Sequence, residues 1–179
     1  MQRAKFLYLT IIIICLVIIS FSTYYTLGGF DPVEVYFFDG TNRTVIGNAH
    51  YIPNQGKDFR QRMDSVKAEI DAGKLKGRLT AIIYQHDSIP DDSVLCFIGA
   101  SQDGSKGVMR MPAGYEYRQF KTNRIYRIFI TQHPLARPNP EEIEQIMELK
   151  SIEEGEVLQP HTFELYYQDG SLSIEKWVK

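Results

Sequence analysis

Cysteine is nearly absent: two residues in 179, Cys15 inside an apolar run and Cys96 inside a strand-like one. No disulfide can form within the globular part, so its stability has to come from a packed core even in an oxidising compartment. Cys96 reads as a small buried hydrophobe and not as a nucleophile. Positive charge is also scarce. All 22 acids but only 18 of the 20 bases lie beyond the first five residues, a net charge of −4, which argues against the basic footprint of a nucleic-acid binder. The densest basic run, Lys74, Lys76 and Arg78, is flanked by Gly73 and Gly77 and reads as a solvated loop. There is no glycine-rich phosphate loop and no Gly-x-Ser-x-Gly elbow. His50 and His133 have no Cys, Asp or Glu at metal-ligand spacing. No metal and no cofactor is therefore expected.

Between Lys5 and Asp31 there is no charge at all, and Phe6 to Phe21 is almost entirely apolar. At ~1.5 Å per residue, about 20 such residues cross the ~30 Å hydrocarbon layer as a helix. The pattern predicts a short N-terminus over 1–5 and a transmembrane helix over 6–24. A cleaved signal peptide is the competing reading, with Ser20 and Ser22 at an acceptable spacing, but the run is long for such a segment. Cys15 does not mark lipidation, because Ile12 to Ile14 stand where small residues are needed. Arg3 and Lys5 precede the segment, whereas Asp31, Glu34 and Asp39 follow it with Arg43 the lone base. The positive-inside rule keeps the N-terminus cytoplasmic and places the domain on the outer or periplasmic side.

The remaining chain says much the same thing twice. Ala81-Ile82-Ile83-Tyr84-Gln85-His86-Asp87 and Phe163-Glu164-Leu165-Tyr166-Tyr167-Gln168-Asp169 match at an offset of 82. Thr41-Asn42-Arg43 and Thr122-Asn123-Arg124 lie 81 apart, and His50 and His133 lie 83 apart. Such order predicts an internal repeat: repeat one over 33–100, a linker over 101–107 and repeat two over 108–179.

Each repeat reads as a strand pair, a helix and a closing hairpin. In the first, strand-like runs at Val33–Phe38 and Thr44–Tyr51 precede a helix whose apolar stripe is Phe59, Met63, Val66 and Ile70. Gly73 stops it, and strands Leu79–Gln85 and Ser93–Ala100 follow around the acidic turn Pro90-Asp91-Asp92. In the second, strands Tyr115–Phe120 and Ile125–Thr131 lead to a helix starting at Asn139-Pro140, an N-cap followed by a proline at the first helical position. Ile143, Ile146 and Met147 supply its buried face, Gly155 ends it, and His161–Gln168 and Ser171–Val178 close the repeat. The predicted class is α+β: two pseudo-symmetric strand-helix-strand-strand repeats with antiparallel sheets and a central groove, preceded by one transmembrane helix.

Strand alternation assigns faces. Ala81, Ile83, Phe163 and Leu165 are expected beneath the helices, and Ile82, Tyr84, Glu164 and Tyr166 on the other face, where two sheets meeting would leave the groove. Glu164 stands where the first copy has Ile82. Among Tyr84, Tyr166 and Trp177, a partly desolvated carboxylate suits an organic cation, drawn by the aromatic faces and balanced by the charge. A salt-bridged edge carboxylate is the plainer alternative.

The order of elements, the run IIYQHD and above all FELYYQD before a last strand resemble the GyrI-like effector-binding domain, a duplicated strand-helix-strand-strand (SHS2) fold, over nearly all of 33–179. The resemblance implies that a glutamate and a tyrosine of an E-x-Y motif, here Glu164 and Tyr166, reach a pocket between repeats that takes cationic and aromatic ligands. The turns His50-Tyr51-Ile52-Pro53 and His133-Pro134-Leu135 depart from the family's His-Gly-Pro-Tyr type. Three functions follow. One is a membrane-tethered small-molecule binder with Glu164, Tyr166, Tyr84 and Trp177 as contacts. The second is a hydrolase of electrophilic or strained compounds using Glu164, the enzyme reading being the weaker. The third is a membrane-anchored adaptor for a protein partner.

Overall fold

A computed structural model describes residues 2–40, 42–53, 56–85, 89, 93–103 and 111–179. Thr41, Asn54-Gln55, His86-Asp87, the Pro90-Asp91-Asp92 turn, most of the linker, and the side chains of Arg3 and Lys5 lie outside the described residues. The chain runs α1 (Gln2–Thr26), β1 (Val35–Asp39), β2 (Asn42–Pro53), α2 (Lys57–Asp71), β3 (Arg78–Tyr84), β4 (Ser93–Asp103), β5 (Glu116–Lys121), β6 (Arg124–Ile130), α3 (Pro140–Glu153), β7 (Leu158–Tyr166) and β8 (Leu172–Val178).

Local chemistry places these elements where the sequence signals lie. Asn139 caps α3, its side-chain oxygen accepting from Glu141 N at 3.2 Å, with Pro140 in the first turn and Glu141 and Glu142 at the positive helix end. Gly73 and Gly155 follow α2 and α3 with φ of 71° and 69°, a left-handed conformation that stops each helix at little steric cost.

The strands form one antiparallel sheet of eight, ordered β1-β6-β8-β7-β3-β4-β2-β5, where the sequence suggested separate sheets meeting. Read outward from the central β7–β3 pair, the order is β3-β4-β2-β5 on one side and β7-β8-β6-β1 on the other. The outermost strands are exchanged: β1 pairs with β6, and β5 with β2.

This sheet is rolled. Arg43 on β2 and Glu175 on β8 are four strands apart, about 19 Å in a flat sheet at ~4.8 Å per strand, yet Arg43 Nη1 donates to Glu175 Oε2 at 2.5 Å. Phe120 on β5 is five strands from Trp177, and their ring centroids lie 6.4 Å apart. The bend passes through facing Gly47 and Gly99 on β2 and β4, where a Cβ on Gly47 would stand 2.2 Å from the Ile98 carbonyl oxygen. Inside the roll Val45, Ile82, Phe97, Ile125, Phe163, Leu165 and Trp177 form a closed cluster. Phe163 and Trp177 stack at 4.4 Å. Arg43 lies over both rings, at 5.5 and 5.3 Å.

The helices cover the outer face. Met63 and Val66 of α2 pack on Ile46, Ile52, Ala81, Val94, Cys96 and Ile98. Ile143 and Met147 of α3 pack on Ile128, Ile130, Leu172 and Ile174. The two helices thus sit over opposite arms of the sheet. The N-terminal helix lies apart from both cores: its 21-residue apolar stretch Phe6–Thr26 is long enough to cross a membrane and none of it is buried. At its end His133 N donates to Leu27 O at 3.2 Å.

Two outcomes follow from the roll. Replacing Arg43 by Met leaves Glu175 buried with less compensation, and urea unfolding is expected to show a loss of about 3–5 kcal/mol, with R43M/E175M losing less. His161 sits among the rings of Tyr84, Phe120 and Phe163 at 5.2–6.0 Å, and burial, then the Lys176 charge, lowers its pKa from 6.5 to about 4. The unfolded chain therefore takes the proton first. Stability is complete above pH 6.5 and falls as the pH drops toward 4, by roughly 3 kcal/mol at most. His161→Phe is expected to remove that part of the slope in pH-dependent thermal unfolding.

Candidate functional site

Because α2 rides on β4 and the near side of β3 while α3 rides on β6 and β8, β7 and the adjoining side of β3 are left uncovered between them. The result is a groove of about 1970 Å³. Its floor carries Leu79 and Ile83 from β3, Thr162, Glu164 and Tyr166 from β7, and Leu172 and Ile174 from β8. Phe59, Met63, Lys67 and Ile70 form the α2 wall, and Asn139, Pro140, Ile143 and Glu144 the α3 wall.

The register of the floor corrects the faces expected from the sequence. Ala81 stands opposite Glu164, Ile82 opposite Phe163 and Ile83 opposite Thr162, and directly opposed residues share a face. Ala81 and Ile83 therefore lie under the helices as expected, but Glu164 and Tyr166 lie there with them. Phe163 and Leu165 lie inside the roll with Ile82. Opposed residue numbers in β3 and β7 add to an odd value. Any exchange of the two strands that keeps their faces shifts numbering by an odd amount, and the matched offset of 82 is even. Ile82 and Glu164 are thus not equivalent positions; Glu164 faces Ala81.

Of the residues singled out, Glu164 and Tyr166 come together in the groove. The Tyr166 hydroxyl donates to Glu164 Oε2 at 2.5 Å. Tyr84 borders the groove, but its side chain turns into the roll, where its hydroxyl accepts from Arg118 Nη1 at 3.0 Å. Trp177 does not reach the groove. It is fully buried in the roll, and its Nε1 donates to Glu175 Oε2 at 3.0 Å. His133 is a loop residue whose Nδ1 accepts from Leu135 N at 3.3 Å, and among the described residues no cluster could hold a metal ion.

The electrostatics single out Glu164. Burial pushes its carboxyl pKa above the usual range; the Tyr166 hydrogen bond opposes this in part, and Glu144 adds to it. No cationic side chain among the described residues pairs with it. The Tyr166 hydroxyl holds its proton firmly, through burial and the neighbouring carboxylate. Beside the floor, under α2, burial and Glu164 together push the Cys96 thiol up to about 11, so it is inert.

A second polar group was not found from the sequence. On the α3 side of the floor Glu144 Oε1 accepts from Gln85 Nε2 at 2.7 Å and Thr162 Oγ1 at 3.2 Å. The buried Lys176 ammonium stands 3.5 Å from the same oxygen. The signal available was the run Glu175-Lys176-Trp177 in a closing strand, where alternation forces two neighbouring charges onto opposite faces, both covered here.

No family model and no curated protein matches the sequence. Solved structures do. An uncharacterised conserved protein from Listeria innocua is 11% identical, with 82% of this chain and 92% of that one aligned at a TM-score of 0.51. EcmrR in its DNA complex is 10% identical over 99% of this chain and 70% of its own, at 0.52. SAV2435 bound to tetraphenylphosphonium is 14% identical over 83% and 94%, a looser match at 0.45. At these identities the likeness shows the fold, and this α+β fold is consistent with the GyrI-like resemblance.

The raised Glu164 pKa has a sign that can be measured. The folded chain holds the carboxyl proton more tightly than the unfolded chain, so the contribution to stability is complete below the ordinary value of 4.5 and is lost as the pH rises through the folded pKa. Glu164→Gln is expected to raise the melting temperature at pH 7 and to leave it unchanged at pH 4, in parallel thermal scans.

Proposed function

We propose that this chain is a GyrI-like small-molecule-binding domain held at a membrane by α1, and that its groove receives a lipophilic organic cation at Glu164 and Tyr166. One observation carries the reading: a half-buried carboxyl, hydrogen-bonded by a tyrosine and lacking a cationic partner among the described residues, on the floor of an open groove whose walls mix apolar and charged side chains. A cation supplies the missing charge. Phe59, Met63, Ile83 and the Tyr166 ring offer the contact area that a hydrophobic cation needs.

The same proposal includes the division into repeats over 33–100 and 108–179, joined by 101–107, of which 101–103 continue β4; the strand order that reads alike from the centre outward supports it. It includes a cytoplasmic N-terminus with the domain on the outer or periplasmic side, supported by the flanking charges. The contacts are narrowed to Glu164 and Tyr166, with Tyr84 at the border.

The test uses the full chain in lipid nanodiscs, titrated with tetraphenylphosphonium by calorimetry against empty nanodiscs. Glu164→Gln is expected to weaken binding by about tenfold or more, since a hydrogen bond or contact to a charged group contributes roughly 1.5–3 kcal/mol. Equal affinity of variant and parent would sink the reading. Turnover of electrophilic compounds that disappears in Glu164→Gln would move it to hydrolysis.

A further inference from the structure

Lys176 is the most deeply buried cation near the groove, 1% exposed on the helix-facing side of β8. Across the strands it stands opposite Thr162 and Tyr126. Its ammonium donates to Gln85 Oε1 at 2.6 Å and lies 3.5 Å from Glu144 Oε1. Gln85 returns its amide to that Glu144 oxygen, and Thr162 adds a hydroxyl. A positive charge in this position opposes a groove meant for cations unless something offsets it. Glu144 does so, and the offset is mutual.

The two carboxylates of the inner groove are therefore unlike. Thr162 and Glu164 share a face of β7 two residues apart, about 7 Å at the strand rise, so the Glu144 group and Glu164 lie along one ligand-sized path. Glu144 has an internal counter-ion and two hydrogen-bond donors at one oxygen. Glu164 has a tyrosine hydroxyl. The other groove acids, Asp64, Asp71, Glu141 and Asp169, are exposed to solvent, where screening weakens them.

We propose that Lys176 sets the charge selectivity of the groove: by engaging Glu144 it leaves Glu164 as the carboxylate that meets a ligand, so that lipophilic monocations are bound and a second positive charge adds nothing. This rests on the groove being a cation site. Without Lys176, Glu144 becomes a second attractive centre along the same path, and two charges on one ligand can both be met. Burial lowers the Lys176 pKa, and Glu144 and Glu148 oppose that shift in part.

Calorimetry on the full chain in nanodiscs, with tetraphenylphosphonium and an alkane-linked bis-triphenylphosphonium as probes, tests this. The parent is expected to bind the dication no more tightly than the monocation. Lys176→Met and Lys176→Gln are each expected to shift that ratio toward the dication by about tenfold or more, the effect of one added contact to a charged group. Adding Glu144→Gln to either should restore the parental ratio. If one Lys176 variant fails to fold, the other carries the test. A ratio unchanged in a folded Lys176 variant that still binds the monocation overturns the proposal and leaves the cation site standing. No binding of either probe by the parent overturns the cation site and this inference with it.

Discussion

The ion pair between Arg43 and Glu175 is the contact on which the shape of the molecule depends. It joins strands that a flat sheet would keep far apart, and both side chains are 1% exposed. Arg127 adds a second guanidinium to Glu175 at 2.7 Å, and the Trp177 ring nitrogen a third donor. An isolated charge could not be placed among Phe163, Trp177 and Phe97 without a penalty of several kcal/mol. Here the carboxylate is met from three sides, and the guanidinium of Arg43 also lies against the stacked rings of Phe163 and Trp177. The aromatic cluster explains why the roll closes. The ion pair explains why it closes in one register.

The groove follows from that curvature. A rolled sheet has an inner face that packs on itself and an outer face that diverges, and both helices lie on the outer one. Each finds its apolar partners on its own arm: α2 on Ile98, Ala81 and Cys96, α3 on Ile128, Ile130 and Ile174. Neither can reach across the crest. What remains at the centre is a strip of β3 and β7 whose side chains have walls but no lid. The Arg43–Glu175 pair thus lies on the face opposite the groove, inside the curvature that sets its two walls apart.

Local signals in the sequence located the elements well. The apolar stripe of α2 and the Asn139-Pro140 start of α3 are each decided by neighbouring residues, and each falls within a few residues of its expected place. The faces were less legible. Alternation identifies a buried face only when the other face meets water, and here both are covered, so Phe163 and Leu165 on one side and Glu164 and Tyr166 on the other give no contrast. Matching the two tyrosines fixed an even offset, and the antiparallel register needs an odd one. The roll was hidden for a different reason: its fastening joins residues 132 positions apart, and nothing in the run around Arg43 names Glu175. Trp177, drawn to the groove by its aromatic character, belongs to that roll.

Glu175, fully buried, and Glu164, half-buried at the groove floor, are carboxyls on opposite faces of one sheet, and the difference in their company bears directly on function. Glu175 has two guanidiniums and an indole, all supplied by this chain, and so completes a core. Glu164 has a single tyrosine hydroxyl, and its pKa is raised because ionisation there is poorly compensated. Leaving such a group in place costs stability, whereas a glutamine would fill nearly the same volume without that cost. It lies at the floor of the groove and not in the closed roll, so the charge that would complete it can come from solution. The imbalance between these two acids, more than the presence of either, is what points to the groove.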